Sequence, residues 1–424
     1  MKTSMLKALI ISFFITCSVL LALRFIPVQK FTSRDMHAPP WWSVQSIDTM
    51  KYSRDLSREK LNDPSFNAII QTQIEQIAKT GATHVGIATP YDEEFVPILT
   101  RWVNAARQHN LKVWFRGNFS GWEQWFEYEK ISRDEHISLL STFITSHPEL
   151  FMEGDIFTPC PECENGGPGD PRVTGDIDGH RLFLIQEYIT ATDAFRRIGV
   201  GARVGYFSMN YDVAKVIMDS STTESVGGIV TIDHYVATPE SLVRDVQAIA
   251  KQSGGHVFLG EFGAPIPDIH GDMSDLEQSE WLSRAFDLLS KEPAVIGINY
   301  WVNMGGSTQL WSEDGTARKA VQTVTSAFKP TFVMGTLVNQ INKPIANSEV
   351  LSKYKKVYSS VSGQFIMPYL PDEKTVHIND GTKDGITVQI KALIEKNNLI
   401  IEKQNLSLLE QAIAHIINLT TISR

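Results

Sequence analysis

From Trp41 to about Ala327, short apolar runs of β type alternate with longer stretches whose apolar residues recur at helical spacing. Eight such runs predict strands: Trp41–Ile47, His84–Ala88, Lys112–Arg116, Asp155–Thr158, Ala202–Tyr206, Ile229–Ile232, His256–Leu259 and Ile296–Tyr300. Between them the three-and-four spacing of apolar residues predicts helices over Phe66–Thr80, Phe95–His109, Arg133–His147, Arg181–Ile198, Glu240–Gln252, Leu276–Leu289 and Ala317–Ala327. Glycine stands near several helix ends, as in Thr80-Gly81-Ala82 and Ser253-Gly254-Gly255, where a left-handed C-cap favours it.

Repeated strand–helix units of this kind build a parallel sheet. Eight of them predict a closed TIM (β/α)8 barrel of the α/β class. An open doubly wound sheet would carry a glycine-rich phosphate turn after its first strand. Here that strand runs into Ser46-Ile47-Asp48-Thr49-Met50-Lys51, and no nucleotide fingerprint follows.

From Pro330 the texture changes to short alternating segments separated by turn residues: Phe332–Val338, Ser348–Leu351, Lys356–Ser359, Gln364–Pro368 and Thr375–Ile378. A small all-β sandwich is expected there. The predicted organisation is therefore a signal or anchor over 1–24, a linker over 25–40, the barrel over 41–329, the sandwich over 330–395 and a tail over 396–424. That tail is apolar enough to pack as either a strand or a helix.

The first segment stands apart because Lys2 and Lys7 precede an unbroken apolar run from Ala8 to Leu23. It is expected to direct export, either as a removed signal peptide or as an uncleaved membrane anchor, and it places the rest of the chain outside the cytoplasm. Cys17 lies in a poor lipoprotein context, so lipidation is not expected. A net charge of -9 carries no basic footprint for nucleic acid. With three cysteines, stability is expected from a core and not from a disulfide framework. Cys160 and Cys163 form a C-x-x-C pair. The Glu164-Asn165-Gly166-Gly167 run after it breaks any helix that a redox site would use, and zinc would need further ligands. A local disulfide and two free thiols both remain open.

In a barrel of this kind catalytic groups stand at the C-terminal ends of strands. Those positions hold Asp48, Lys51 and Tyr52, then Asp92, Arg116 and Asn118, Glu162 and Glu164, Tyr206 and Asn210, Asp233-His234-Tyr235, Glu261 and Trp301. The sharpest element is Val257-Phe258-Leu259-Gly260-Glu261-Phe262-Gly263, an apolar strand that delivers one carboxylate and then turns on glycine.

Glu261 on the seventh strand, a carboxylate on the fourth and Trp301 on the eighth together resemble the clan A glycoside hydrolases. The resemblance spans about residues 41–328 and implies that Glu261 is the nucleophile. It implies an acid/base at the fourth strand, where the family's Asn-Glu-Pro is replaced by Pro161-Glu162-Cys163; both Glu162 and Glu164 are candidates. A retaining pair sits roughly 5–5.5 Å apart, against roughly 6.5–9.5 Å for inversion. The expected activity is hydrolysis or transglycosylation of a β-linked polysaccharide or oligosaccharide, with no cofactor and no metal. The expected substrate-binding residues are Arg116, Asn118, Trp122, Tyr206, Asp233, His234, Tyr235 and Trp301, with Trp125 as a further subsite. A catalytically silent glycan-binding barrel is the alternative. The stretch Gly335–Val350 with its Lys343-Pro344-Ile345 turn, followed by Gly363-Gln364-Phe365-Ile366-Met367-Pro368, resembles the carboxypeptidase regulatory-like domain, which implies a spacer or docking module.

Overall fold

The computed structural model describes residues 39–339, 343–379, 385–390, 393 and 398–400. The predicted export segment, Cys17 and most of the linker lie outside these residues, as does the chain after 400. Among the described residues no helix is long and apolar enough to cross a membrane.

Among the described residues the large sheet contains nine parallel segments: β1 (Val44–Asp48), β2 (His84–Ile87), β3 (Lys112–Phe115), β4 (Ile156–Phe157), β5 (Arg203–Val204), β6 (Ser208–Asn210), β7 (Ile229–Asp233), β8 (His256–Phe262) and β9 (Val295–Tyr300). Their order, β5-β4-β3-β2-β1-β9-β8-β7-β6, is that of a curled TIM-like barrel whose fifth strand is broken into β5 and β6. The three residues Gly205–Phe207 bridge the break, so the chain itself joins the two ends of the hydrogen-bonded series. Gly205 takes φ +109°, a conformation an L side chain resists, and a Cβ there would also lie 2.5 Å from the Val226 carbonyl oxygen.

Helices over Phe66–Lys79, Val96–Gln108, Arg133–Ser146, Ile177–Ile198, Pro239–Ser253, Asp275–Ser290 and Lys319–Phe328 cover the sheet. Two begin with capping boxes, Ser132 with Glu135 and Ser274 with Glu277, which satisfy otherwise orphaned amides. Each buries its apolar stripe against the outward residues of the strands, such as Ile47, Val85, Ile87 and Leu259.

Inside the barrel, strand alternation stacks residues in layers. Val44, Trp114, Tyr206 and Phe258 form an apolar layer from the first, third, fifth and seventh strands. Further along the same inward faces stand Asp48, Arg116 and Ser208, so a polar layer lies directly above the apolar one. The Arg116 guanidinium carbon sits 4.9 Å from the Trp114 ring centroid.

Phe332–Val338 (β10) pairs with Gln364–Pro368 (β13) and Asn398–Ile400 (β16), while Glu349–Leu351 (β11), Lys356–Tyr358 (β12), Thr375–Ile378 (β14) and Ile386–Gln389 (β15) make a four-stranded antiparallel sheet. Val333, Leu337, Val350, Phe365 and Ile378 share one core. Leu370 and Tyr354 reach back to the barrel, where Lys355 Nζ lies 4.9 Å from the Trp41 ring.

Candidate functional site

Glu261 reaches the barrel mouth through an irregularity in β8. On the β7 side Ile232 pairs with Leu259 and Asp233 with Glu261, so β8 carries one extra residue, and the same excess appears against β9. Phe258 points inward, so strict alternation would aim Gly260 inward and Glu261 outward. The bulge turns Glu261 inward instead. Gly260 is required at this place, because a Cβ would overlap Asp233 Oδ1 and lie 2.9 Å from Ser208 Cβ and Thr231 Cγ2.

Two donors converge on the Glu261 carboxylate. Arg116 Nη2 donates to Oε1 at 3.1 Å and the Tyr235 hydroxyl to Oε2 at 2.9 Å. Arg116, 2% exposed, also pairs with Asp48 through Nη1, donates to Ser208 Oγ at 3.3 Å and lies 3.7 Å from Asp233 Oδ2. Asn299 Nδ2 completes the ring by donating to Asp48 Oδ2 at 3.1 Å and to the Gly260 carbonyl at 2.9 Å. Burial pushes the Glu261 carboxyl up to about 7, with Arg116 acting in the opposite direction. Burial and the Glu261 charge push Asp233 well above the usual carboxylate range. Burial, reinforced by Glu261, does the same to the Tyr235 hydroxyl, which therefore stays a donor.

The loop after β4 brings its two carboxylates to different places. One oxygen each of Glu162, Asp233 and Glu261 lies within 4.8 Å of the others. Glu162 takes a left-handed conformation, φ 45°, between Cys160 and Cys163, which form a disulfide with their Cα atoms 5.4 Å apart. Glu164 is buried, 3% exposed, and accepts from the Asn210 backbone N at 2.7 Å and Nδ2 at 3.2 Å. Burial pushes it up to about 7. The same loop replaces the missing sheet bonds beyond β4: Thr158 Oγ1 donates to the Tyr206 carbonyl at 2.8 Å and Glu162 N to the Ser208 carbonyl at 2.7 Å.

Four of the expected substrate contacts are corrected. Trp122, 1% exposed, stacks on Phe183 at 5.0 Å and donates to the Cys163 carbonyl at 3.1 Å, so it is packed beneath the loop. Asn118 is fully buried; its Oδ1 accepts from Phe119 N at 2.8 Å and is 2.7 Å from His136 Nε2. Tyr206 belongs to the apolar layer below the mouth, 5.4 Å from the Phe258 ring. His234 points out of the barrel, since alternation puts Asp233 and Tyr235 on the opposite face; its Nε2 is 3.0 Å from Asp245 Oδ2. Arg116, Asp233 and Tyr235 do gather around Glu261. Trp301, followed by a cis peptide bond, lies half-buried 6.2 Å from the Tyr235 ring with Lys51 Nζ 5.9 Å from its own.

Three residues join the site without having been expected there. Glu123 is raised to about 7 by burial and the facing Glu162. Ser208 and Asn299 point inward, and their polarity within apolar strands was the available sign. Trp125, expected as a subsite, has its ring covered by Arg54 at 4.8 Å. A hard cation among Glu162, Asp233 and Glu261 would compete with the Arg116 guanidinium, which already supplies the positive charge there.

The parallel barrel and a mouth lined with carboxylates set this chain beside the glycoside hydrolases in fold. In particular, it is similar to a GH5_18 protein from Bifidobacterium longum subsp. longum solved in complex with Manβ1-4GlcNAc, with a TM-score of 0.51 and 15% identity over 70% of this chain and 81% of that one. The GH5_18 protein from Streptomyces cattleya, also with Manβ1-4GlcNAc, gives 0.52 and 14% over 71% and 85%. A longer β-glucuronidase from Bacteroides uniformis gives 0.45 and 10%, and this chain spans 44% of it. No protein-family model and no curated protein matches the sequence.

Proposed function

We propose that this chain is a retaining glycoside hydrolase or transglycosylase acting on a β-linked glycan. The observation that carries the reading is the pair Glu162 and Glu261, with carboxylate oxygens within 4.8 Å of each other and unlike surroundings. That spacing suits retention, for which roughly 5–5.5 Å is usual, and leaves no room for the water an inverting pair must admit. Glu261, held by two donors, attacks the anomeric carbon. Glu162, half-buried in the disulfide-closed loop, protonates the departing glycosidic oxygen and then takes a proton from the water that releases the sugar. Trp301 supplies an apolar face for the ring that is cleaved. The GH5_18 structures with Manβ1-4GlcNAc support a mannose-containing β-linked glycan as the first class to try.

We place this activity outside the cytoplasm, a reading supported by the Cys160–Cys163 disulfide and the apolar run from Ala8 to Leu23. The test is a panel of polysaccharides and 4-nitrophenyl β-glycosides with the anomer of the first product read by proton NMR. Retained configuration is expected, and Glu261→Gln should abolish turnover. An inverted product, or a Glu261→Gln variant as active as the parent, would overturn the reading.

A further inference from the structure

Asp233 is the carboxylate that this two-acid scheme leaves without work. It ends β7 on the inward face, 4% exposed, and neither of its oxygens has a hydrogen-bond partner among the described residues. One of its oxygens is within 4.8 Å of oxygens from both Glu261 and Glu162. The nearest cation, Arg116 Nη2 at 3.7 Å, is closer to Glu261, and its other arm holds Asp48. The groups facing Asp233 are thus Arg116 from the third strand, Glu261 from the seventh with Tyr235 bonded to it, and Glu162 and Glu164 from the fourth-strand loop; Asp48 enters through Arg116. One guanidinium faces this many carboxylates, so a proton must be retained among them. Glu261 accepts two hydrogen bonds that favour its ionised form, whereas Asp233 accepts none, and burial together with the Glu261 charge pushes Asp233 upward. The proton of the pair belongs on Asp233.

We propose that Asp233 is a neutral carboxylic acid that holds the sugar hydroxyl beside the anomeric carbon, donating through its O–H and accepting through its carbonyl oxygen. This rests on the glycosidase reading above. A buried carboxyl with both oxygens unused is costly in an empty site and is satisfied when a hydroxyl arrives, since a hydroxyl is at once donor and acceptor. The requirement for glycine at 260 follows, because any side chain there would displace Asp233 from this position.

Two measurements test the proposal. In the first, the intact protein carrying aspartate labelled with carbon-13 at the side-chain carboxyl is titrated by NMR, with Asp233→Asn assigning the signal; the Asp233 resonance should sit at the protonated position at pH 7 without substrate. In the second, Asp233→Asn, which keeps a donor and an acceptor, should hold kcat within about tenfold on whichever 4-nitrophenyl β-glycoside the parent cleaves, while Asp233→Ala should lose about 100-fold or more. An ionised Asp233 resonance at pH 7, or equal damage in the two variants, overturns the proposal. Glu261→Gln is run alongside: if it remains active the glycosidase reading fails, whereas the NMR result judges the protonation of Asp233 independently.

Discussion

Replacing Glu164 by Gln separates the two fourth-strand carboxylates and has a magnitude that the structure supplies. The Gln side-chain oxygen can still accept both hydrogen bonds from Asn210, so the change removes chiefly the ability to ionise. Burial raises Glu164 from an ordinary carboxylate value to about 7. A group raised on folding binds its proton more tightly in the folded state. Its contribution is therefore full below the unfolded value, near 4.5, and is lost as pH rises through 7. Each tenfold gain in proton affinity on folding is worth about 1.36 kcal/mol, so the parent should lose roughly 2–3 kcal/mol of stability from this residue between pH 5 and pH 8. The variant should not, and its advantage over the parent should grow by that amount across the interval. Urea unfolding at pH 5, 6, 7 and 8 measures the difference. A constant difference at all four values would refute the assignment of Glu164 as a buried, ionisation-averse anchor. Activity adds a second criterion: Glu164→Gln should stay within about tenfold of the parent, whereas Glu162→Gln should lose about 100-fold or more, the scale of general acid catalysis.

Tyr235→Phe removes one of the two donors to Glu261, so the Glu261 carboxyl should rise beyond about 7. The acid limb of the kcat/KM profile should then move to higher pH and the maximum fall roughly 10–100-fold, the worth of a hydrogen bond to a charged group; an unmoved limb refutes it. Replacing Cys160 and Cys163 together by Ser opens a short loop, worth about 2 kcal/mol of chain entropy and, in a chain of this length, a thermal shift of roughly 2–3 °C. Activity should fall at least about tenfold because Glu162 is no longer held in its left-handed conformation, and unchanged kcat in the double variant would show that other contacts suffice.

Alternation of apolar and polar runs located the barrel strands to within a few residues, because a strand enclosed by helices has few ways to be written. The position of Glu261 at the end of the seventh strand was legible too, because one carboxylate interrupts an apolar run just before its glycine turn. The break at Gly205–Phe207 and the bulge at Gly260 escaped because each is a matter of one residue's pairing, which a period of two does not report. His234 was misplaced although its two neighbours, Asp233 and Tyr235, define the opposite face. Trp122 was expected among the substrate contacts, yet Gly166 and Gly167 let the loop close over it and bury it. Strand Ile386–Gln389 is too short and too exposed for its pattern to stand out.

In most barrels of this shape the rim loops are interchangeable furniture on a finished wall. Here the fourth loop is also masonry. Its Thr158 hydroxyl, Glu162 amide and Glu164 carboxylate hold the split fifth strand at Tyr206 in the break and at Ser208 and Asn210 of β6. Exchanging that loop to alter specificity would loosen the seam of the cylinder, so new specificities in this scaffold have to be sought on the other strands' loops.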